Sequence, residues 1–199
     1  DVVRGKGKGL IILLHGSPGV GKTSTAECVA AHTGRPLFPI TCGDLGGTSA
    51  QEVEENLERF FELAMKWGCV LLLDEADVFL GERIQGNIIQ NSLVSVFLRV
   101  LEYYSGVLIL TTNRVGQFDE AATSRIHCAL YYPPFSKRRA LEVWQKNVDR
   151  LKRENGLFTT PIQLDAKKIM KFANRQWEAG TRWNGHQIKN AFQTAVALA

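Results

Sequence analysis

Apolar positions along the first 134 residues follow two alternating patterns. Short runs in which nearly every residue is apolar predict buried strands, and longer segments with apolar residues three or four positions apart predict helices. The predicted strands are 10–14, 37–40, 70–73, 107–111 and 129–132. The predicted helices between them are 22–32, 50–67 and 88–104. Because apolar strands that alternate with helices are typical of a parallel sheet covered on both faces, the pattern predicts an α/β core.

The strand pattern stops at Pro133 and Pro134, and only helical spacing follows. The predicted helices there are 137–155, 165–180 and 185–199, with a loop at 156–161. The sequence therefore predicts an α/β core over residues 1–134 and a small helical domain over residues 135–199. The chain opens almost directly on its first predicted strand and stops inside a predicted helix, so we expect it to be part of a longer protein.

The composition excludes several classes of protein. The chain has 199 residues, of which 22% are charged and 45% apolar, values that exclude wholesale disorder and collagen-like repetition. No apolar stretch reaches about 18 residues, so we expect no membrane-spanning segment. The four cysteines form no C-x-x-C pair, which disfavours a zinc site and a disulfide scaffold. They favour a reducing intracellular compartment, with cytoplasm, nucleus and mitochondrion all left open. Cys42 and Cys69 flank strand ends and are predicted to be small buried core residues.

The net charge of +4 is distributed unevenly. Residues 1–134 hold 11 Lys and Arg against 15 Asp and Glu, whereas residues 135–199 hold 13 against 5. The basic C-terminal region has two interpretations. One is ordinary solvated helix faces, and the other is a surface for an anionic partner such as nucleic acid, lipid headgroups or an acidic protein.

A glycine-rich segment at 16–23 carries the strongest chemical signal. It reads Gly-Ser-Pro-Gly-Val-Gly-Lys-Thr and lies between a predicted strand and a predicted helix. In that context backbone N–H groups and the helix N-terminus bind phosphates, and a chance glycine-rich turn is the weaker interpretation. Lys22 is expected to reach the β- and γ-phosphates, and the Thr23 hydroxyl to ligate Mg²⁺. The predicted nucleotide-contacting residues of this segment are Ser17, Pro18, Gly19, Val20, Gly21, Lys22, Thr23 and Ser24.

Two carboxylates follow the strand 70–73 directly. Asp74 is expected to contact the nucleotide side of the site and to hold Mg²⁺, together with Thr23. Glu75 is expected to orient and polarise the water that attacks the γ-phosphate. Acidic pairs at strand ends are common, but this pair lies downstream of a phosphate loop, which favours the catalytic interpretation.

Two further side chains complete the predicted catalytic set. Asn113 follows the strand 107–111, where its amide can bond to the attacking water or the γ-phosphate. Arg125 follows a predicted helix on the far edge of the nucleotide fold and cannot easily reach its own site. It can reach the γ-phosphate of a neighbouring subunit as an arginine finger, and a surface salt bridge is the alternative.

Taken together these segments resemble the AAA+ ATPases. Residues 16–23 resemble Walker A, 70–75 Walker B, 111–114 sensor 1 and 124–125 the arginine-finger box. The sequence Thr-Thr-Asn-Arg at 111–114 is most similar to the corresponding motif of the AAA clade proper. The whole sequence, over essentially all 199 residues, is similar to a group of uncharacterised fungal AAA ATPases.

The resemblance implies a P-loop NTPase fold with a five-stranded parallel sheet in the order 5-1-4-3-2, flanked by helices and followed by a helical lid. It implies ATP and ADP as nucleotides, Mg²⁺ as cofactor, and a ring of identical subunits, commonly six. It also implies remodelling of a client protein or complex, driven by ATP.

Two departures from the family pattern refine these expectations. Ser49, Ala50 and Gln51 stand where relatives place an aromatic-hydrophobic-glycine triplet that grips a threaded chain, so we expect a mechanism that acts on a folded substrate or through conformational change. In the lid, Gly185 and His186 stand where many relatives contact the nucleotide. His186 is a candidate phosphate contact, with Lys189 as the alternative.

Two other functions stay open from the sequence. The basic lid and the segments 74–77 and 124–125 are also similar to clamp-loader and initiator modules that act on DNA. A non-catalytic scaffold that responds to nucleotide is the third interpretation.

Overall fold

The computed structural model describes residues 9–46, 49–82, 87–114, 116, 118–157 and 162–198, and these form two compact units. The α/β unit contains Lys22–Tyr132 together with the described residues up to Ser17. The helical unit contains Pro18–Gly21 and the described residues from Pro133 onward. Each unit has its own buried core.

Five parallel strands form the sheet of the α/β unit. They are β1 (Leu10–Gly16), β2 (Leu37–Thr41), β3 (Val70–Asp74), β4 (Val107–Thr112) and β5 (Cys128–Tyr132). Their spatial order is β2-β3-β4-β1-β5, which is the predicted order read from the opposite edge. The predicted fold class, an α/β P-loop sheet followed by helices, is confirmed.

Helices connect the strands and cover both faces of the sheet. They are α1 (Lys22–Thr33), α2 (Ala50–Trp67), α3 (Asp77–Leu80), α4 (Ile88–Tyr103) and α5 (Glu120–Thr123). Side chains of β3 alternate between two cores, with Leu71 and Leu73 in the larger one and Val70 and Leu72 in the smaller one beneath α1. The sequence pattern did not predict the single turn of α3.

The edge strand β5 departs from the sequence expectation of a buried strand. It pairs only with β1, and its side chains are largely exposed, with 44% of Leu130 and 52% of Tyr131 accessible to solvent. A short apolar run identifies a strand but does not say whether the strand lies in the centre of a sheet or at its edge.

Three longer helices form the helical unit. They are α6 (Lys137–Glu154), which continues into a 3₁₀ turn at Asn155–Leu157, α7 (Ala166–Glu178) and α8 (Gly185–Ala197). Trp144 is buried at their centre and stacks on Trp183 with a centroid separation of 5.7 Å. Over the part of the chain that the structure describes, every helix is too short or too polar to cross a membrane.

Candidate active site

The sheet order brings the predicted chemistry to one edge of the α/β unit. Strands β3, β4 and β1 are neighbours, and the carboxyl ends of parallel strands lie at the same edge. The phosphate loop leaves β1, Asp74 ends β3, and Asn113 follows β4. Residues far apart in the sequence therefore meet where ligands bind in open α/β sheets.

Glycine is required where the loop leaves β1. Gly16 has a φ of 129°, and a Cβ atom there would collide with the carbonyl of Tyr132. The N–H of Ser17 donates to that same carbonyl over 3.0 Å. The start of the loop is thus fixed against β5. Gly19 and Gly21 also have positive φ values, which residues other than glycine rarely adopt.

Lys22 lies buried at the base of the loop, with 7% of its surface exposed. Its ammonium group donates to the carbonyls of Gly16 and Ser17, each over 2.8 Å, and to Asn113 Oδ1 over 2.9 Å. Burial lowers the pKa of Lys22, while the carboxylates of Asp74 and Asp77 act in the opposite direction. The sequence predicted Lys22 at the β- and γ-phosphates and Asn113 at the attacking water or the γ-phosphate, but it did not predict that they bond to each other.

Thr23 and Asp74 come together as predicted for a magnesium site. The Thr23 hydroxyl donates to Asp74 Oδ2 over 3.2 Å, so a hydroxyl and a carboxylate oxygen converge beside the phosphate loop. Hard oxygen ligands of this kind suit Mg²⁺, which usually keeps several waters and takes one or two protein ligands. The residues present fit the metal.

Glu75 has an unusual backbone conformation. Its φ is 59°, and among the described residues it is the only non-glycine residue with a positive φ. Such a conformation costs on the order of 1–3 kcal/mol and persists only where surrounding contacts hold it. The side chain is exposed at the edge of the sheet, next to Asp74.

Two side chains of neighbouring strands bond to the backbone of Glu75. Its N–H donates to the hydroxyl oxygen of Thr111 over 3.1 Å, and that hydroxyl donates in turn to Asp74 Oδ1. Its carbonyl accepts from the thiol of Cys42, with 3.0 Å between sulfur and oxygen. The sequence did not predict this role of the Thr111 hydroxyl, since the order of residues does not show which positions of neighbouring strands face each other.

The prediction for the two cysteines holds for Cys69 but not for Cys42. Cys69 is buried in the main core, whereas Cys42 is only half-buried. Burial, followed by the nearby carboxylates of Asp77, Glu75 and Asp74, raises the pKa of the Cys42 thiol to about 11. The group therefore stays protonated and able to donate at neutral pH.

Arg125 lies beyond the end of α5. Its Nη1 donates to the carbonyl of Ala121 over 2.8 Å, and its Nη2 lies 3.8 Å from a carboxylate oxygen of Glu102. About a third of the side chain is exposed, at 31%. The described contacts of the guanidinium are thus with α5 and α4.

The tip of the phosphate loop belongs to the helical unit, together with the predicted lid residues. The N–H of Gly185 donates to the carbonyl of Gly19 over 2.6 Å. Asn184 caps α8 in a reciprocal arrangement with Gln187. His186 follows in the first turn and is exposed.

The remaining predicted positions are distributed as follows. Pro18, Val20 and Gly21 complete the loop tip, Ser24 is exposed on the first turn of α1, and Lys189 is exposed on α8. Ser49 caps α2 by accepting from the N–H of Glu52, so the sequence 49–51 forms the start of a helix. Residues 47–48, which precede it, lie outside the described residues.

A glycine-rich loop between β1 and α1, an acidic pair at the end of β3 and an amide beyond β4 define a P-loop nucleoside triphosphatase. The sequence model of the ATPase family associated with various cellular activities (AAA) matches residues 12–134. The model of the fungal AAA+ ATPase lid domain matches residues 135–199. The chain belongs to the AAA family of ATPases.

Curated proteins of the same family resemble the chain at a distance. ATPase family AAA domain-containing protein 3B of Homo sapiens is 33% identical over 64% of the chain and 21% of its own length. ATPase family AAA domain-containing protein FIGL1 of Arabidopsis thaliana is 33% identical over 78% of the chain and 23% of its own length. Fidgetin-like protein 1 of Homo sapiens is 32% identical over 66% of the chain and 20% of its own length. The chain thus spans about a fifth of the length of these relatives.

Proposed function

We propose that this chain binds ATP together with Mg²⁺ at the phosphate loop and hydrolyses it to ADP and phosphate. The observation that carries the proposal is the hydrogen bond of Thr23 to Asp74, with Glu75 next to Asp74 in the chain and the buried Lys22 at the base of the phosphate loop. This arrangement supplies a metal site, a carboxylate next to it and a cation for the phosphates at one edge of the sheet. The match to the AAA family supports the same activity.

Each side chain of the site has a separate role in phosphoryl transfer to water. Lys22 exchanges its bonds to the loop carbonyls for bonds to phosphate oxygens and so binds the triphosphate. Glu75 accepts a hydrogen bond from the attacking water and orients it in line with the γ-phosphate, while the Asn113 amide fixes the other side of that water. Thr23 and Asp74 would hold Mg²⁺, which when bound neutralises charge on the phosphate oxygens.

We propose further that the active form is a ring of identical subunits in which Arg125 acts on a neighbouring site. The guanidinium is partly exposed and is held by Ala121 and Glu102, not by residues of its own phosphate loop. Exposed apolar side chains of β5, Leu130 and Tyr131, lie on the edge strand that follows Arg125 in the chain. An arginine that completes a shared site lowers the barrier only after assembly, which couples hydrolysis to the ring.

The proposed work of the ring is remodelling of a folded client protein or complex. Ser49 and Gln51 are polar positions at the start of α2, and Ala50 between them is small. A threaded chain would find no aromatic ring there to pack against. A mechanism that acts on folded surfaces agrees better with these side chains.

Action on nucleic acid is the second candidate, supported by the excess of 13 basic over 5 acidic residues after position 134. The aromatic side chains there argue against base stacking, because Trp144 and Trp183 pack against each other in the helical core. A salt-dependent affinity for duplex DNA would support this candidate over a protein client.

The proposal is tested by ATP hydrolysis in mixtures of two variants. Arg125→Ala keeps Glu75 but lacks the finger, and Glu75→Gln keeps the finger but lacks the carboxylate. Arg125→Ala alone is expected to lose about 10³-fold or more in kcat, and Glu75→Gln alone about 10²-fold or more. Mixing them should restore activity because one subunit completes the site of the other. The matched control is Arg138→Ala on α6, whose side chain is 85% exposed, and it should hydrolyse ATP like the wild type.

The other outcomes have distinct meanings. Mixtures that stay inactive, while Arg125→Ala alone hydrolyses ATP at the wild-type rate, would contradict a finger in trans. Wild-type protein that binds ATP but releases no phosphate at any protein concentration would favour the nucleotide-dependent scaffold.

A further inference from the structure

Two side chains, those of Thr111 and Cys42, hold the backbone of Glu75 from both sides, and the sequence predicted a role in the reaction for neither. Thr111 on β4 accepts its N–H, and Cys42 beyond β2 donates to its carbonyl. We propose that Thr111 and Cys42 are positioning residues that hold the catalytic Glu75 in its left-handed conformation. This inference rests on the proposed hydrolysis of ATP, and it identifies the residues that fix the position of the Glu75 carboxylate.

The left-handed conformation explains why such a clamp is needed. An extended or helical residue after β3 would point its side chain in a different direction, so the φ of 59° decides where the carboxylate lies. Glutamate has no intrinsic preference for that region, and the conformation must be stabilised by its surroundings. Satisfying both backbone polar groups of the residue provides that stabilisation.

The Thr111 hydroxyl does more than accept one bond. Its hydrogen is directed to Asp74 Oδ1, which leaves a lone pair for the N–H of Glu75. The main-chain carbonyl of Thr111 accepts the N–H of Ala76 over 2.8 Å. One residue of β4, only 1% exposed, therefore bonds to three consecutive residues, the last of β3 and the two that follow it, and fixes the position of the metal-binding carboxylate relative to the water-orienting one.

Cys42 holds the opposite side of the Glu75 peptide. A thiol is a weak donor, so its contribution should be the smaller of the two. The sulfur lies 3.0 Å from the carbonyl oxygen of Glu75, within reach of a thiol hydrogen bond. Replacement by serine keeps a donor at the same position, and replacement by alanine removes it.

The first arm of the test is steady-state hydrolysis with kcat and KM separated. Thr111→Val keeps the shape of the side chain and removes the hydroxyl, and misplacement of the catalytic group should lower kcat about 10- to 100-fold. Thr111→Ser keeps the hydroxyl, so its kcat should lie within about threefold of the wild-type value. Cys42→Ala should lower kcat about three- to tenfold, whereas Cys42→Ser, which keeps a donor, should have a kcat close to that of the wild type. Affinity for ADP without Mg²⁺ should stay unchanged throughout, because Lys22 and the loop are untouched.

The matched control for the thiol is Cys69→Ala. The Cys69 thiol also donates to a backbone carbonyl, that of Ala64, over 3.5 Å, but it lies at the other end of β3. It should lower thermal stability and leave kcat as in the wild type. A fall in kcat in Cys69→Ala equal to that in Cys42→Ala would show a general effect of destabilisation and overturn the role of Cys42.

The second arm needs no activity and follows hydrogen exchange of the Glu75 amide by NMR. Thr111→Val should speed its exchange at least about tenfold, because the N–H loses its acceptor, while the amides of Leu72 and Leu73 keep their protection. Unchanged exchange at Glu75, or faster exchange with a wild-type kcat, would overturn the clamp. Wild-type protein without hydrolysis would instead refute the proposed function, and the exchange arm would still decide whether Thr111 holds Glu75.

Discussion

The two units of the chain reach stability by different means. In the α/β unit the interior strand β3 buries residues 70–73 completely, and the predicted polar site residues lie at the ends of the strands. In the helical unit the described residues of α7 and α8 include one buried position each, Ala173 and Ile188, and α6 contributes four more, including Trp144, which packs against the rings of Trp183 and Phe192. The difference shows that the strained Glu75 lies at the end of a fully buried strand, where residues at the ends of the neighbouring strands bond to its backbone.

The largest expected effect separates the two cores. Trp144→Ala should destabilise the helical unit by about 3–5 kcal/mol, and Leu72→Ala should destabilise the α/β unit by about 2–5 kcal/mol. Three of the four tryptophans lie in the helical unit, so tryptophan emission reports mainly on that unit, while far-ultraviolet circular dichroism reports on both. Each variant should shift one transition more than the other.

The matched control for the first prediction is Trp177→Ala. Trp177 is half-buried, with the Arg182 guanidinium 4.5 Å from its ring centroid, and this contact is worth only about 0.5–1 kcal/mol. A single transition that moves equally in Trp144→Ala and Leu72→Ala would show that the two cores unfold together.

The second prediction concerns function in the α/β unit. Lys22→Ala removes a buried ammonium that should bind two phosphate groups, and loss of two charged hydrogen bonds should weaken ATP binding about 100-fold. Calorimetric titration with a non-hydrolysable ATP analogue measures this change. Lys152→Ala removes an exposed cation from α6 in the helical unit and should bind as the wild type does. Equal losses in the two variants would indicate a general charge effect.

A third, smaller effect compares helix caps in the two units. Ser49 caps α2 through the N–H of Glu52, and Asp165 caps α7 through the N–H of Lys168. Replacing either by alanine should cost about 1 kcal/mol of the unit that contains it. Thermal unfolding followed by the two optical signals should show Ser49→Ala moving the α/β transition and Asp165→Ala moving the helical one. The reverse assignment would contradict the division into two units.

The smallest effect is a pH dependence at His15, next to the phosphate loop. Burial, followed by the nearby charge of Lys22, lowers the pKa of His15, and its Nδ1 is buried without a hydrogen-bond partner in the part of the chain that the structure describes. As the pH falls below about 6.5, the unfolded chain binds a proton at this histidine before the folded chain does. Stability contributed by His15 should therefore be complete above that pH and decrease as the solution becomes more acidic.

His15→Phe isolates this contribution, since a phenyl ring can keep the packing against Phe118 and Tyr131 without titrating. Urea unfolding from pH 8 to pH 5 should give a shallower loss of stability in the variant than in the wild type. Parallel curves would show that His15 is not the group responsible.

Hydrophobic spacing was sufficient for most of the fold. The predicted helix at 50–67 has the observed bounds of α2, and each predicted strand lies within an observed one. Hydrophobic spacing predicts these elements because each helix buries one face in a core and each central strand buries both faces. It failed to show that β5 is an exposed edge, since that depends on the order of the strands.

The candidate site was predictable as a set of residues but not as a set of contacts. Lys22 and Asn113 are 91 positions apart, and their bond depends on β1 and β4 being neighbours in the sheet. Thr111 reaches Asp74 and Glu75 because β3 and β4 pair in register up to Leu73 and Leu110. Such facing pairs follow from register, which the sequence alone does not specify to the residue.

The measurement that tests the account most directly is phosphate release by the wild type and Glu75→Gln, with ATP binding measured on the same samples. The account predicts hydrolysis by the wild type and a loss of about 10²-fold or more in kcat for the variant, with ATP affinity kept because Lys22 is intact. Hydrolysis by Glu75→Gln at the wild-type rate would contradict it, since the carboxylate beside Asp74 would then have no part in the reaction.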